Sequence, residues 1–115
     1  MRLARSGAAL VLACAGSAAV AVDVSQLDYG CERGAQVAAI YISDTDPALA
    51  ILQIEGRQVV FQNAPSGSGA RYAEDPAREI GYIWWTKGDE AFLTWHAEDG
   101  QETDLLSDCR VTPTE

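Results

Sequence analysis

The sequence predicts an all-β domain, built as an antiparallel barrel or sandwich. Short strand-like runs recur at regular spacing, turn-forming residues separate them, and no long run has the apolar period of a helix. The chain has 115 residues, which is enough for one domain.

Residues 1–21 are predicted to be an export signal. Arg2 and Arg5 precede an apolar run, and the small residues at 19–21 form an A-x-A cleavage site. Removal of this segment leaves a mature domain over residues 22–115.

An alternative interpretation of the same segment is a lipobox at residues 11–14, in which Cys14 is lipidated and anchors the protein to a membrane. Leu12 fits that pattern poorly, so the soluble form is favoured. Both interpretations predict export, and the protein is expected in the periplasm, either soluble or held at the outer membrane as a lipoprotein.

The first half of the mature chain contains three strand-like runs. Residues 36–42 are rich in β-branched and aromatic side chains and end at the turn-forming stretch 43–47. Residues 49–54 and 57–62 flank Glu55-Gly56, and this arrangement predicts a hairpin.

The second half contains two further runs, residues 81–86 and 91–96. They are joined by a turn in which Gly88 suits the first central position of type II′. The charged segment 73–79 before them is predicted to be an exposed loop or a strand interruption. Leu105-Leu106 forms a last apolar pair near the end of the chain.

Apart from Cys14, the cysteines are Cys31 and Cys109, which lie near the two ends of the mature domain. In an oxidising compartment they are expected to form one disulfide that closes nearly the whole domain. A metal site is the rival interpretation, but no further His or Cys stands at ligand spacing, so no metal or other cofactor is expected.

The mature domain is strongly acidic. Of the eight basic residues, Arg2 and Arg5 leave with the signal, so six remain against 17 acidic residues and the net charge is −11. This charge repels nucleic acids and anionic lipids and attracts basic partners. Solubility alone is the simpler explanation for the acidity.

The most unusual stretch is SGSGARY at residues 66–72. Gly67 and Gly69 permit positive φ and close approach of another backbone, and the serines carry short hydroxyls. Arg71 and Tyr72 at its base are expected to fix the shape of the loop. Taken alone, these seven residues are better explained by a flexible hairpin tip without a partner.

Catalysis is not expected. Ser68, His96 and Asp99 supply the residue types of a serine hydrolase, but Ser68 lacks the G-x-S-x-G elbow. Strand periodicity leaves His96 solvated. The core face of its strand is predicted to consist of Ala91, Leu93 and Trp95. A phosphate loop is excluded because no G-x-x-x-x-G-K-[ST] run is present.

Together with WWTKGDEAFL at residues 84–93, the SGSGARY stretch resembles the paired motifs of the bacterial inhibitors of C-type lysozyme. That family has a membrane-bound lipoprotein branch and a periplasmic branch. The resemblance extends to Tyr29-Gly30-Cys31 and to Cys109, where the family places its terminal disulfide, so it covers essentially the whole mature chain.

The resemblance implies an eight-stranded antiparallel β-barrel whose loop enters the cleft of a host C-type lysozyme. Ser68 is then the hydroxyl that reaches the catalytic carboxylates, and Lys87 adds a contact at the cleft. Tyr72 braces the loop, and Gly67 and Gly69 keep it narrow. Arg71 is counted with them among the lysozyme-binding residues. Because vertebrate C-type lysozymes are generally basic, the acidic charge would also steer association.

Ser68 and Lys87 lie further apart in this sequence than the family pattern implies, because residues 73–79 carry an apparent insertion. The insertion is a reason to expect displacement of Lys87, which also has a simpler role, an ion pair with Glu90 across the hairpin.

A second function stays open, a small exported barrel that binds a low-molecular-weight ligand or serves envelope maintenance. Whether the domain forms a homodimer is not decided by the sequence.

Overall fold

A computed structural model describes residues 22–113 and shows eight strands that close into an antiparallel barrel. The strands are β1 (Asp23–Gly30), β2 (Gln36–Ser43), β3 (Leu49–Ile54), β4 (Arg57–Ala64), β5 (Ala70–Asp75), β6 (Ile80–Lys87), β7 (Glu90–His96) and β8 (Glu102–Val111). A 3-10 turn, Glu32–Gly34, links β1 to β2. The predicted signal segment, which includes Cys14, lies outside the described residues.

Each strand pairs with the next along the chain, and β8 returns to β1. That last seam is short, with only two paired positions, Tyr29 to Val111 and Gly30 to Arg110. The predicted disulfide is confirmed, and it joins Cys31 to Cys109 directly beside the seam. The disulfide therefore fastens the barrel where its hydrogen-bonded ladder is weakest.

The interior of the barrel is filled by large side chains. The largest fully buried ones are Trp84, Tyr29, Phe61 and Leu52. They alternate with outward residues as the strand period of two requires. Among residues 22–113, no helix is long and apolar enough to cross a membrane.

Two hairpin turns follow the sequence prediction. Ile54 pairs with Arg57, and both intervening residues have positive φ, 51° at Glu55 and 76° at Gly56, which is the pattern of a type I′ turn. In the β6–β7 turn, Gly88 alone of the two central residues has positive φ, at 60°, as a type II′ turn requires.

The prediction that residues 73–79 form a loop is only partly correct. Ala73 is fully buried and belongs to β5, which runs to Asp75, so the turn itself covers residues 76–79. The strand continues past a register shift because the Glu74 carboxylate accepts a hydrogen bond from the Tyr82 backbone N–H at 3.1 Å. A side chain thus satisfies a donor that the irregular ladder leaves free.

The faces of β7 also differ from the prediction. Ala91 and Leu93 are buried as expected, but Trp95 lies near the end of the barrel and is 40% exposed. Thr94, on the opposite face, is buried. The His96 side chain is only 16% exposed, with Nε2 2.8 Å from a Glu102 carboxylate oxygen, so the expectation of a solvated histidine is wrong.

Candidate functional site

The SGSG stretch forms an exposed connection between β4 and β5. It protrudes between Ala64, the last residue of β4, and Ala70, the first of β5. The Ser66 hydroxyl donates a hydrogen bond to the backbone oxygen of Ser68 at 2.7 Å. This internal bond constrains the loop and leaves the Ser68 side chain exposed at its tip.

Gly69 holds the base of the loop against the neighbouring strand. Its φ is 69°, and a methyl group on its Cα would overlap the backbone oxygen of Thr86. Gly67 has open space around the same position. Of the two glycines, Gly69 is therefore the one that the local geometry requires, because only a residue without Cβ permits this approach to β6.

The structure brings Ser68 and Lys87 to one end of the barrel. Ala70 pairs with Thr86, so the start of β5 lies beside the end of β6, and Ser68 and Lys87 line a common groove. Residues 76–79, within the segment 73–79 that was expected to carry an insertion, form the turn at the opposite end of this β-hairpin. Added length in this segment would therefore extend the far end of the hairpin, and the pairing near Lys87 is regular.

Tyr72 anchors the loop in the barrel interior. Its ring centroid lies 5.6 Å from that of Tyr41. The Tyr41 hydroxyl accepts a hydrogen bond from Trp84 Nε1 at 2.8 Å and shares another, also 2.8 Å, with Tyr29. Burial raises the pKa of the Tyr29, Tyr41 and Tyr72 hydroxyls, so all three resist ionisation at alkaline pH where a free tyrosine loses its proton.

Arg71 lies on the opposite face of β5 from Tyr72 and is only 7% exposed. Its guanidinium lies 3.0 Å from a Glu79 carboxylate oxygen and 5.5 Å from the centroid of the Trp85 ring. Glu79 belongs to the turn between β5 and β6, so that turn supplies the partner of this charge. Through these contacts Arg71 supports the Trp85 ring.

The groove beside the loop has a volume of about 450 Å³. Its wall includes side chains that the sequence analysis did not single out: Trp85, Phe92, Asp104, Ser107 and Asp108. Trp85 and Phe92 stack with their ring centroids 5.9 Å apart and an interplanar angle of 13°. Phe92 is 42% exposed. The sequence signal that could have identified Phe92 was its outward position in the alternation of β7.

An irregularity in β8 shapes the far wall of this groove. Ala91 pairs with Cys109 and Leu93 with Leu106, so Phe92 faces two residues, Ser107 and Asp108. Asp108 has a φ of 52°. Bulges of this kind redirect side chains and are frequent beside functional sites. The bulge brings both of its residues to the groove.

The residues considered for a serine hydrolase do not come together in the structure. Ser68 lies at the end of the barrel where β6 meets β7, whereas His96 closes the opposite end of β7, paired with Gly81 and Glu102. Within residues 22–113, no cluster of three or more His, Cys, Asp and Glu side chains is arranged to hold a metal ion. The arrangement at Ser68 and Lys87 offers hydrogen bonding, charge and apolar contact.

Comparison with known proteins gives a consistent assignment. The family model described as membrane-bound lysozyme-inhibitor of c-type lysozyme matches residues 29–102. A membrane-bound lysozyme inhibitor of C-type lysozyme from Pseudomonas aeruginosa is 38% identical over 84 residues, which are 72% of this chain and 62% of the relative. Its namesake from Cupriavidus necator is 32% identical over 91 residues, 79% of this chain and 69% of the relative. The chain thus spans less than two thirds of the length of the Pseudomonas protein.

Two solved structures share the fold. Pseudomonas aeruginosa MliC in complex with hen egg white lysozyme superposes with a TM-score of 0.60 at 34% identity, covering 80% of this chain and 85% of that one. The periplasmic inhibitor PliC from Salmonella typhimurium gives a TM-score of 0.64 at 26% identity, covering 79% of this chain and 100% of that one.

Proposed function

Because this chain belongs to the family of membrane-bound lysozyme inhibitors of C-type lysozyme, we propose that it inhibits such a lysozyme by inserting the Ser68 loop into the catalytic cleft. The observation that supports this most directly is the placement of Ser68 at the exposed tip of a braced, narrow loop beside Lys87. The relatives inhibit lysozyme and one of them is seen bound to it.

The chemistry of the target explains why a serine suits the tip. Lysozyme is a retaining glycosidase, with two carboxyl groups about 5 Å apart, one protonated and one ionised. A single hydroxyl between them accepts a hydrogen bond from the acid and donates one to the carboxylate. The Lys87 ammonium complements the remaining negative charge. Inhibition then needs no bond making by the inhibitor, which acts by occupying the cleft.

The contacts that support the loop determine how much binding energy is lost to ordering it. A free Gly/Ser loop would lose affinity to the cost of ordering. Here the Ser66 hydrogen bond, the Gly69 contact with β6 and the packing of Tyr72 on Tyr41 are present before any partner binds. In this proposal Tyr72 acts through the loop, Arg71 supports Trp85 beside it, and Ser68 and Lys87 touch the enzyme.

The filled barrel interior favours inhibition over the alternative of a small-ligand carrier. Trp84, Tyr29 and Phe61 are at most 2% exposed and occupy the space in which such carriers hold their ligand. The inhibitor would act in the cell envelope. Mass spectrometry of the mature N-terminus distinguishes a soluble form beginning near Val22 from one anchored through a lipidated Cys14.

The direct test is inhibition of a C-type lysozyme by the oxidised mature domain and by Ser68→Ala. Loss of the hydroxyl leaves charged groups of the enzyme without their partner, so affinity should fall by about 2 kcal/mol, or roughly 30-fold. Ser25→Ala, an exposed serine on β1, is the matched control and should bind like the natural sequence. A natural domain without effect at micromolar concentration would refute the proposed function, and assays on G-type and I-type lysozymes would define its specificity.

A further inference from the structure

The groove beside the Ser68 loop has the features of a binding site for a cation. One wall is the stacked pair Trp85 and Phe92. The Trp85 ring is held by the Arg71 guanidinium at 5.5 Å, which leaves Phe92 as the accessible ring, 42% exposed. An aromatic platform fixed in this way attracts cations through its π face and loses little entropy on binding.

Carboxylates face this platform from β7 and β8. The groove is lined by Glu90, Asp104 and Asp108 against a single lysine, Lys87, which gives three negative charges to one positive and a net charge of −2. Glu90 is already paired, since Arg110 lies 3.0 Å away. Within residues 22–113, neither Asp104 nor Asp108 forms a salt bridge. Two carboxylates therefore remain available to a partner.

The local backbone fixes the position of one of these carboxylates. Asp108 adopts a left-handed conformation, with φ of 52°, inside the bulge opposite Phe92. Such a conformation in a residue other than glycine costs roughly 1 kcal/mol or more. A regular β8 would avoid that cost but would also remove the two-residue bulge that brings Ser107 and Asp108 to the groove.

We propose that this groove is a second contact region for the inhibited lysozyme and receives an arginine side chain projecting beside the enzyme's cleft. The inference rests on the proposed function and extends it, because the groove is continuous with the Ser68 loop and shares Lys87 with it. Arginine is the fitting cation, since its planar guanidinium stacks on aromatic rings while its N–H groups pair with carboxylates. The groove thereby selects basic lysozymes.

The test measures the affinity of the oxidised mature domain for hen egg white lysozyme by calorimetry. Phe92→Ala should weaken binding about tenfold, and Asp104→Asn combined with Asp108→Asn by a similar factor that shrinks at high salt. Asparagine tolerates the backbone of residue 108, so the second variant keeps the bulge. Two control variants make similar changes outside the groove and should change affinity less than twofold. They are Val60→Ala at an exposed position of β4, for Phe92→Ala, and Asp23→Asn on β1, for the asparagine variant.

A second arm tests the arginine itself. Lysozyme whose arginines are blocked with phenylglyoxal should bind more weakly, and Phe92→Ala should then cause little further loss, because the cation it contacts is gone. Retention of the full tenfold effect of Phe92→Ala on the blocked enzyme would overturn the proposal.

Failure of this inference is distinguishable from failure of the proposed function. If Ser68→Ala weakens binding while Phe92→Ala and the double asparagine variant do not, the loop mechanism stands and the groove contact is refuted. If Phe92→Ala alters binding of a chitin oligosaccharide to the isolated domain but leaves lysozyme affinity unchanged, the groove is a glycan site and the proposal is likewise overturned.

Discussion

Replacement of Gly69 by alanine is the sharpest test of how the barrel holds its loop. The left-handed backbone at this residue, φ of 69°, costs an alanine roughly 1 to 2 kcal/mol. The new methyl would also overlap the Thr86 backbone oxygen, which cannot rotate away as a flexible side chain would. The loop must therefore separate from β6, and we expect a total loss of about 2 to 4 kcal/mol.

The assay is urea unfolding and thermal unfolding of the oxidised domain, with lysozyme inhibition measured in parallel. For a domain of this size each kcal/mol corresponds to about 4 to 8 °C, so Tm should fall by about 10 °C or more. Inhibition should also weaken, since the displaced loop no longer presents Ser68 beside Lys87.

Gly67→Ala is the matched control because it adds the same methyl group two residues away in the same loop. Its Cβ would have no neighbour within 4 Å. It should be neutral or slightly stabilising, by up to about 1 kcal/mol, because alanine restricts the unfolded chain. Equal stability and equal inhibition for the two variants would refute the argument that contact with β6 fixes the loop.

Three further predictions concern the supports of the barrel. Replacement of Cys31 and Cys109 by alanine removes a link across 78 positions and should lower the free energy of unfolding by about 4.5 kcal/mol, measured in urea. Glu79→Gln should cost about 1 kcal/mol, measured in the same way, because the buried Arg71 keeps a polar acceptor but loses its counter-charge. The three inner tyrosines have raised pKa values through burial, so stability should be full below their unfolded pKa near 10 and should fall as pH rises above it, with absorbance at 295 nm showing ionisation only on unfolding.

Local chemistry explains which parts of the fold the sequence predicts well. The Glu55-Gly56 hairpin and the Gly88 turn follow from residues that tolerate positive φ between apolar runs. β1 was not predicted because six of its eight residues are exposed and its pattern shows no buried face. Its pairing with β2 is a property of the closed barrel, which no local pattern encodes.

The same distinction applies to the candidate site. The glycines and Ser68 are visible as a motif, whereas the groove depends on how β7 pairs with β8 at the bulge beside Phe92. The insertion raised the expectation that Lys87 would be displaced. Which end of a hairpin absorbs extra residues is set by register, and here the pairing of Ala70 with Thr86 places the whole segment 76–79 at the end far from Lys87.

The central claim is that the Ser68 loop occupies the cleft of a C-type lysozyme. Competition tests it most directly: binding of the domain to lysozyme is titrated in the presence of increasing chitotriose, a ligand that binds in the cleft. The account predicts that the apparent affinity of the domain falls in proportion to chitotriose occupancy and that Ser68→Ala binds more weakly throughout. An affinity independent of chitotriose would show that the domain binds elsewhere on the enzyme and would contradict the account.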